Sequence, residues 1–316
     1  MSGFTITGSM TFDGGFDIPF PAPPSENTAA WFGGGYNPVD TSTVSTVDRI
    51  TYATDTATAS VRGPLSLATY NLAAAGNTDY AWFGGGAPGP FSTVNRITYA
   101  TDTATASVRG PLSLARRSLA AAGNTTDGWF GGGSPGPYST VDRITYATDT
   151  ATASVRGPLS QVIYNLAAAG NSTDGWFGGG GAPPEVSTVN RITYATDTAT
   201  ASVRGPLSLG RVRLAAAGNT DYAWFGGGYA SGTRSTVDRI TYATDTATAS
   251  VRGPLSAARR YLAAAGNSTD GWFGGGSPGP LSTVDRITYA TDTATASVRG
   301  PLSLARFALA AAGGIQ

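Results

Sequence analysis

The sequence predicts an all-β chain folded as a six-bladed β-propeller with four antiparallel strands per blade. Three observations predict it. The eighteen residues RITYATDTATASVRGPLS, first met at 49–66, recur without a change at Arg49, Arg96, Arg143, Arg191, Arg239 and Arg286. The resulting period, 47 or 48 residues, is that of a propeller blade. Within each unit Gly and Pro separate four short strand-like segments, and no amphipathic helical stripe competes with them.

The first segment, LAAAG (72–76 in the second unit), is rich in alanine, as suits strand a at the crowded axis of a ring. The second, AWFGGG (81–86), carries one of the six tryptophans Trp31, Trp82, Trp129, Trp176, Trp224 and Trp272. Its aromatics can fill the wedge between neighbouring blades, and its glycines permit close backbone approach. TVNRITYA (93–100) and ATASVRGPL (104–112) supply strands c and d. The ends fit one another. WFGGG at 31–35 has no LAAAG before it, and LAAAG at 309–313 has no WFGGG after it. Pairing these orphan halves closes a single ring over residues 27–316 and leaves no free edge at the seam.

These residues resemble the kelch repeat. The double glycine ending its second strand is Gly84-Gly85, the tyrosine and aspartate of its third strand are Tyr99 and Asp102, and its arginine before the next first strand falls at Arg116 and Arg306. The tryptophan the family carries in its fourth strand is absent, with Ala106 or Val108 near its place.

Composition narrows the function. All 20 basic residues are arginine, and 18 aspartates with Glu26 and Glu185 balance them to zero net charge. A chain without basic excess is not built as a nucleic-acid binder. Histidine, cysteine and lysine are missing, so thiolate, imidazole and Schiff-base chemistry are excluded, and no metal or other cofactor is expected. No apolar run approaches the roughly 18 residues of a membrane helix. MSGFTITGSM lacks the layout of a signal peptide, and the Asn124, Asn171 and Asn267 triplets read as turns, not glycosylation sites. Arg49, Arg62 and Asp55 recur once per unit and read as inter-strand or inter-blade ion pairs, with a ring of aspartate-bound cations as the alternative.

Two stretches carry nearly all the variation between units. Before LAAAG stand LATYN, LARRS, QVIYN, LGRVR, AARRY and LARFA; after the glycines stand YNPVDTSTV, APGPFS, SPGPYS, GAPPEVS, YASGTRS and SPGPLS. In an antiparallel blade the d-to-a linker and the b-to-c loop emerge on one side of the disc. That side is expected to present Arg116, Arg117, Tyr164, Arg211, Arg213, Arg234, Arg259, Arg260, Tyr261, Arg306 and Phe307 as a binding face, with the aspartates of the turns opposite. Drift of unconstrained loops is the competing explanation.

Residues 1–26 belong to no repeat. Phe4, Ile6, Met10, Phe12, Phe16, Ile18 and Phe20 alternate along an extended arm, and PFPAPP forms a stiff linker. The arm is expected either to pack on its own ring or to anchor it to another subunit or larger particle. Repeats worded WFGGG and DRITYATDTATASVRG look like repeat proteins of tailed bacteriophages, notably those of cyanobacteria. That resemblance implies a virion-associated structural or attachment protein on the particle surface. It would be held by its arm to other virion proteins, singly or as a homo-oligomer, and would display the ring to a host-surface glycan or protein. The alternatives are a glycan-active propeller enzyme, for which tuned carboxylate pairs are hard to find, and a protein-interaction scaffold outside a virion.

Overall fold

The computed structural model describes residues 9–12, 16–19, 28–136, 138–181, 184–279 and 281–313. Six four-stranded antiparallel sheets succeed one another around a ring, each in the order a-b-c-d from axis to rim. Blade 2 is typical, with strands Ala73–Gly76, Tyr80–Gly84, Val94–Thr98 and Ser107–Arg109. Blade 1 is the composite one. Its strand a, Ala310–Gly313, comes from the far end of the chain and pairs with Ala29–Gly33, setting Ala312 opposite Trp31. Val47–Thr51 and Ser60–Arg62 complete it.

Strands c and d are shorter than their repeats suggest. Strand c ends at Thr51 or its equivalent because Tyr52–Thr54 turns into a 3-10 segment, and strand d keeps only Ser-Val-Arg. The turn after strand c accounts for the repeated sequence. Tyr99 of blade 2 stacks on Trp31 of blade 1 at 3.7 Å between ring centroids, and Asp102 accepts the indole N–H of Trp31 at 2.9 Å. The same carboxylate lies 3.0 Å from Arg49 Nη1 and 3.5 Å from Arg62 Nε. This knot of one tyrosine, one aspartate, one tryptophan and two arginines recurs at all six blade junctions. Its Trp–Tyr centroids lie 3.7 to 4.0 Å apart. At the seam Asp55 of blade 1 receives Trp272, Arg286 and Arg299 of blade 6 in the same way. Each copy of the eighteen residues thus contributes to both of its interfaces, giving Tyr52 and Asp55 to one and Arg49 and Arg62 to the other.

Burial raises the pKa of Tyr99, Tyr146, Tyr194, Tyr242 and Tyr289 in these knots well above the usual phenol value. The aspartates are only 5–6% exposed, so the expected aspartate side of the disc is much reduced: these carboxylates lie inside the junctions. Their arginine and indole partners occupy the places a cation would need, and no metal-binding cluster is found among the described residues.

Glycine is required where blades meet. A Cβ on Gly33 would stand 2.8 Å from the ring of Phe83 in the next blade. The arm departs from a single extended segment: Ser9–Phe12 and Phe16–Pro19 pair as a two-stranded hairpin, with Met10 in register with Ile18 and Phe12 with Phe16. Phe4, Ile6 and Phe20 lie outside the described residues.

Candidate binding face

The variable linkers and loops do meet on one side. Each linker bridges the b-to-c loop of the blade it enters: Tyr70 with Ala87, Arg117 with Ser134, Tyr164 with Gly181, Val212 with Tyr229, Arg260 with Ser277, and Phe307 with Tyr36. Each linker is therefore tied to its loop at one equivalent point, while loop length and side chains differ from blade to blade, the blade 1 loop forming the hairpin Tyr36–Asn37 with Ser42–Thr43.

The third linker position separates from the others. Arg116, Arg211, Arg259 and Arg306 are fully buried, which corrects the expectation that they are displayed. Arg116 donates to Asp142 at 2.7 Å and to the carbonyls of Gly132, Thr140 and Phe130. Arg211, Arg259 and Arg306 pair with Asp238, Asp285 and Asp48 at 3.1, 2.6 and 2.9 Å. Burial pulls these guanidinium pKa values down, and the paired aspartate opposes the shift. A guanidinium in such a site clamps a blade from within, because its fork satisfies backbone and carboxylate acceptors together.

The two blades without this arginine are equally informative. Blade 2 has Thr69 and blade 4 has Ile163, and there the aspartate becomes Asn95 and Asn190. Asparagine still accepts the amide N–H of Ser66 or Ser160, as aspartate does elsewhere, but carries no charge. A buried carboxylate without its cation would be costly, so the pair changes together. This signal was present in the sequence, in the residue before each RITY. It emerges once linker position three is compared blade by blade.

The fifth linker position builds the mouth of the central channel. Asn71, Ser118, Asn165, Arg213, Tyr261 and Ala308 all adopt positive φ, between 56° and 62°. Each N–H donates to the carbonyl of the equivalent residue one blade back, from Asn71 to Ala308 at 2.7 Å through to Ala308 to Tyr261 at 2.8 Å. Six hydrogen bonds thus close a circle around the axis. Left-handed backbone costs a non-glycine residue of order 1 kcal/mol, and the circle satisfies donors that would otherwise point into the channel.

Half-buried side chains form the rest of the surface. Arg213 lies over the Tyr261 ring at 4.6 Å, and Arg260 over Tyr229 at 5.0 Å. Phe307 stands between Tyr36 and Tyr261, and Tyr36 meets Tyr70 edge-on at 5.8 Å. Burial raises the Tyr261 pKa against the opposing pull of Arg213 and Arg260. Arg234 folds back onto the Ala230 carbonyl at 2.6 Å, which leaves it less free to reach outward than its loop position implies. Arg117 is half-buried beside Ser134. Tyr164 walls a cleft between blades 4 and 5 together with Glu185, Arg213 and Tyr229. The result is an arc of aromatic rings and cations, strongest over blades 5, 6, 1 and 2. Asp79 and Asp221, on the opposite turns, are exposed.

No family model and no curated protein matches this chain. Among solved structures it is similar to that of YjhT, at a TM-score of 0.65 and 12% identity, covering 78% of this chain and 88% of the other. At that identity the likeness concerns the propeller fold alone.

Proposed function

We propose that this protein is a non-enzymatic display module. Its hairpin arm anchors it to a larger assembly, and its variable face binds a host-surface glycan or protein. One observation carries the reading: the same knot of tryptophan, tyrosine, aspartate and two arginines stands at all six blade junctions, while most differences between blades gather on the face built by the linkers and b-to-c loops. A fixed scaffold with changeable aromatic and arginine side chains is the arrangement recognition surfaces use. The resemblance of the repeat wording to tailed-phage proteins supports the surface of a virion as the assembly. A catalytic role is disfavoured because glycan hydrolysis ordinarily needs two facing carboxylates, and among the described residues Glu185 is the only carboxylate lining the blade 4–5 cleft.

Deleting residues 1–26 tests the anchor. A folded ring that no longer joins the particle is expected, whereas unchanged incorporation would refute the anchoring role. Intact protein is expected to bind host cells without releasing product from their surface polysaccharide. Product release would establish the enzyme instead.

A further inference from the structure

The blade 4–5 cleft differs from the other five gaps in ways that fit together. Loop b-to-c of blade 4 carries an additional glycine, reading GGGG at 178–181, and it is the one b-to-c loop that bears a glutamate, Glu185. The facing linker of blade 5 has Gly210 where the other linkers have Ala68, Ala115, Val162, Ala258 and Ala305. A Cβ on Gly210 would stand 2.7 Å from the Glu185 carbonyl oxygen, so a side chain at this position would collide with the loop backbone where it now lies. Two changes that accommodate each other across a blade boundary argue against drift.

The cleft they frame has a volume of about 130 Å³. Tyr164 and Tyr229 give it aromatic walls, and Glu185 and Arg213 place opposite charges on its lining. The Arg213 guanidinium lies over the Tyr261 ring at 4.6 Å and makes no ion pair among the described residues. Every arginine of the invariant repeat, by contrast, has its aspartate. A guanidinium held by an aromatic ring but paired with no carboxylate, at the edge of a concave, aromatic-walled site, suits a ligand carboxylate. Flat tyrosine faces suit the apolar side of a sugar ring, and Glu185 can accept hydroxyls.

We propose that the blade 4–5 cleft is a subsite for one hexuronic acid residue of an acidic polysaccharide, with Arg213 holding the sugar carboxylate and Glu185 its hydroxyls. This rests on the reading of the variable face as a glycan-binding surface. Glu185 disfavours densely anionic chains, and the small volume admits a single residue of a longer polymer.

The test is calorimetric titration of the full chain with oligogalacturonate and oligoglucuronate, and with their methyl esters, which keep the rings and lose the charge. Intact protein is expected to bind at least one free acid no less than tenfold more tightly than its ester, with the preference shrinking in high salt. Arg213→Asn is the variant of choice, because asparagine already occupies this left-handed position as Asn71 and Asn165. It should abolish the acid preference, and Gly210→Ala should weaken acid and ester alike. An undiminished preference in Arg213→Asn, or equal affinity for acid and ester, would overturn the subsite while leaving glycan binding elsewhere on the face intact. Polyglutamate bound as tightly as the uronates and equally dependent on Arg213 would overturn the sugar assignment. Intact protein that binds no saccharide on a broad glycan panel would remove the glycan reading of the whole face, and this subsite with it.

Discussion

Arg116 and Arg117 are neighbours in one linker and do opposite things. Arg116 points into blade 3 and is closed from solvent by Asp142 and three carbonyls. Arg117 lies on the surface with its backbone tied to Ser134. The same division holds at Arg259 and Arg260, where the first clamps Asp285 and the second lies over Tyr229. A d-to-a linker therefore alternates its loyalties. Position three belongs to the scaffold, and positions four and five belong to the face. Residue type alone does not locate a binding surface; the direction imposed by the backbone does.

Changes to the scaffold should have the largest effects. Removing residues 309–316 strips blade 1 of strand a and leaves an open edge. The expected outcome is loss of the cooperative monomeric unfolding transition, read by circular dichroism and light scattering. Next comes Asp55→Ala, which strands the Trp272 indole and two arginines at the seam. Leaving a buried charge site unpaired costs about 3–5 kcal/mol, measurable by urea denaturation, and Asp102→Ala should cost the same if the seam equals an internal junction.

Arg116→Ile is expected to cost a similar amount because Asp142 is left buried and alone. Adding Asp142→Asn reproduces the pair native to blade 4, and should bring stability back to within about 1–2 kcal/mol of the parent protein. A double variant no better than the single one would mean that the clamp acts through something other than charge. High pH probes the junctions together. The buried tyrosines have raised pKa values, so the stability they supply is whole below about pH 10 and is lost as pH rises beyond it, when the unfolded chain ionises and the folded one resists. Thermal midpoints should fall above about pH 10. Smallest of all, Arg117→Ala should change stability by less than about 0.5 kcal/mol.

Much of this was legible in the repeats. The period and punctuation gave six blades, the orphan half-units gave the closure, and one recurring aspartate with two arginines gave the inter-blade pairs. The arm's register was not legible, because alternating apolar residues describe one long strand and a paired one equally well; Ser9–Phe12 pairs antiparallel with Phe16–Pro19. The variable linkers and loops lie on one side as expected, but not all of their arginines are displayed there. Arg116, Arg211, Arg259 and Arg306 were expected on the surface because arginine is ordinarily exposed. Their burial comes from an aspartate 26 or 27 residues on, or at Asp48 across the seam, in a position that reads as part of the repeated background. The channel-mouth circle left no trace in composition, since asparagine, serine, arginine, tyrosine and alanine share only their backbone angle there.

The division between scaffold and face is tested most directly by combining Arg117→Ala, Arg213→Asn and Arg260→Ala in the full chain and measuring host-cell binding beside the thermal unfolding midpoint. The expected outcome is an unfolding midpoint within a degree or two of the parent, about what small surface changes cause, together with loss of cell binding. Cell binding that persists at parental strength in the folded triple variant would refute the division.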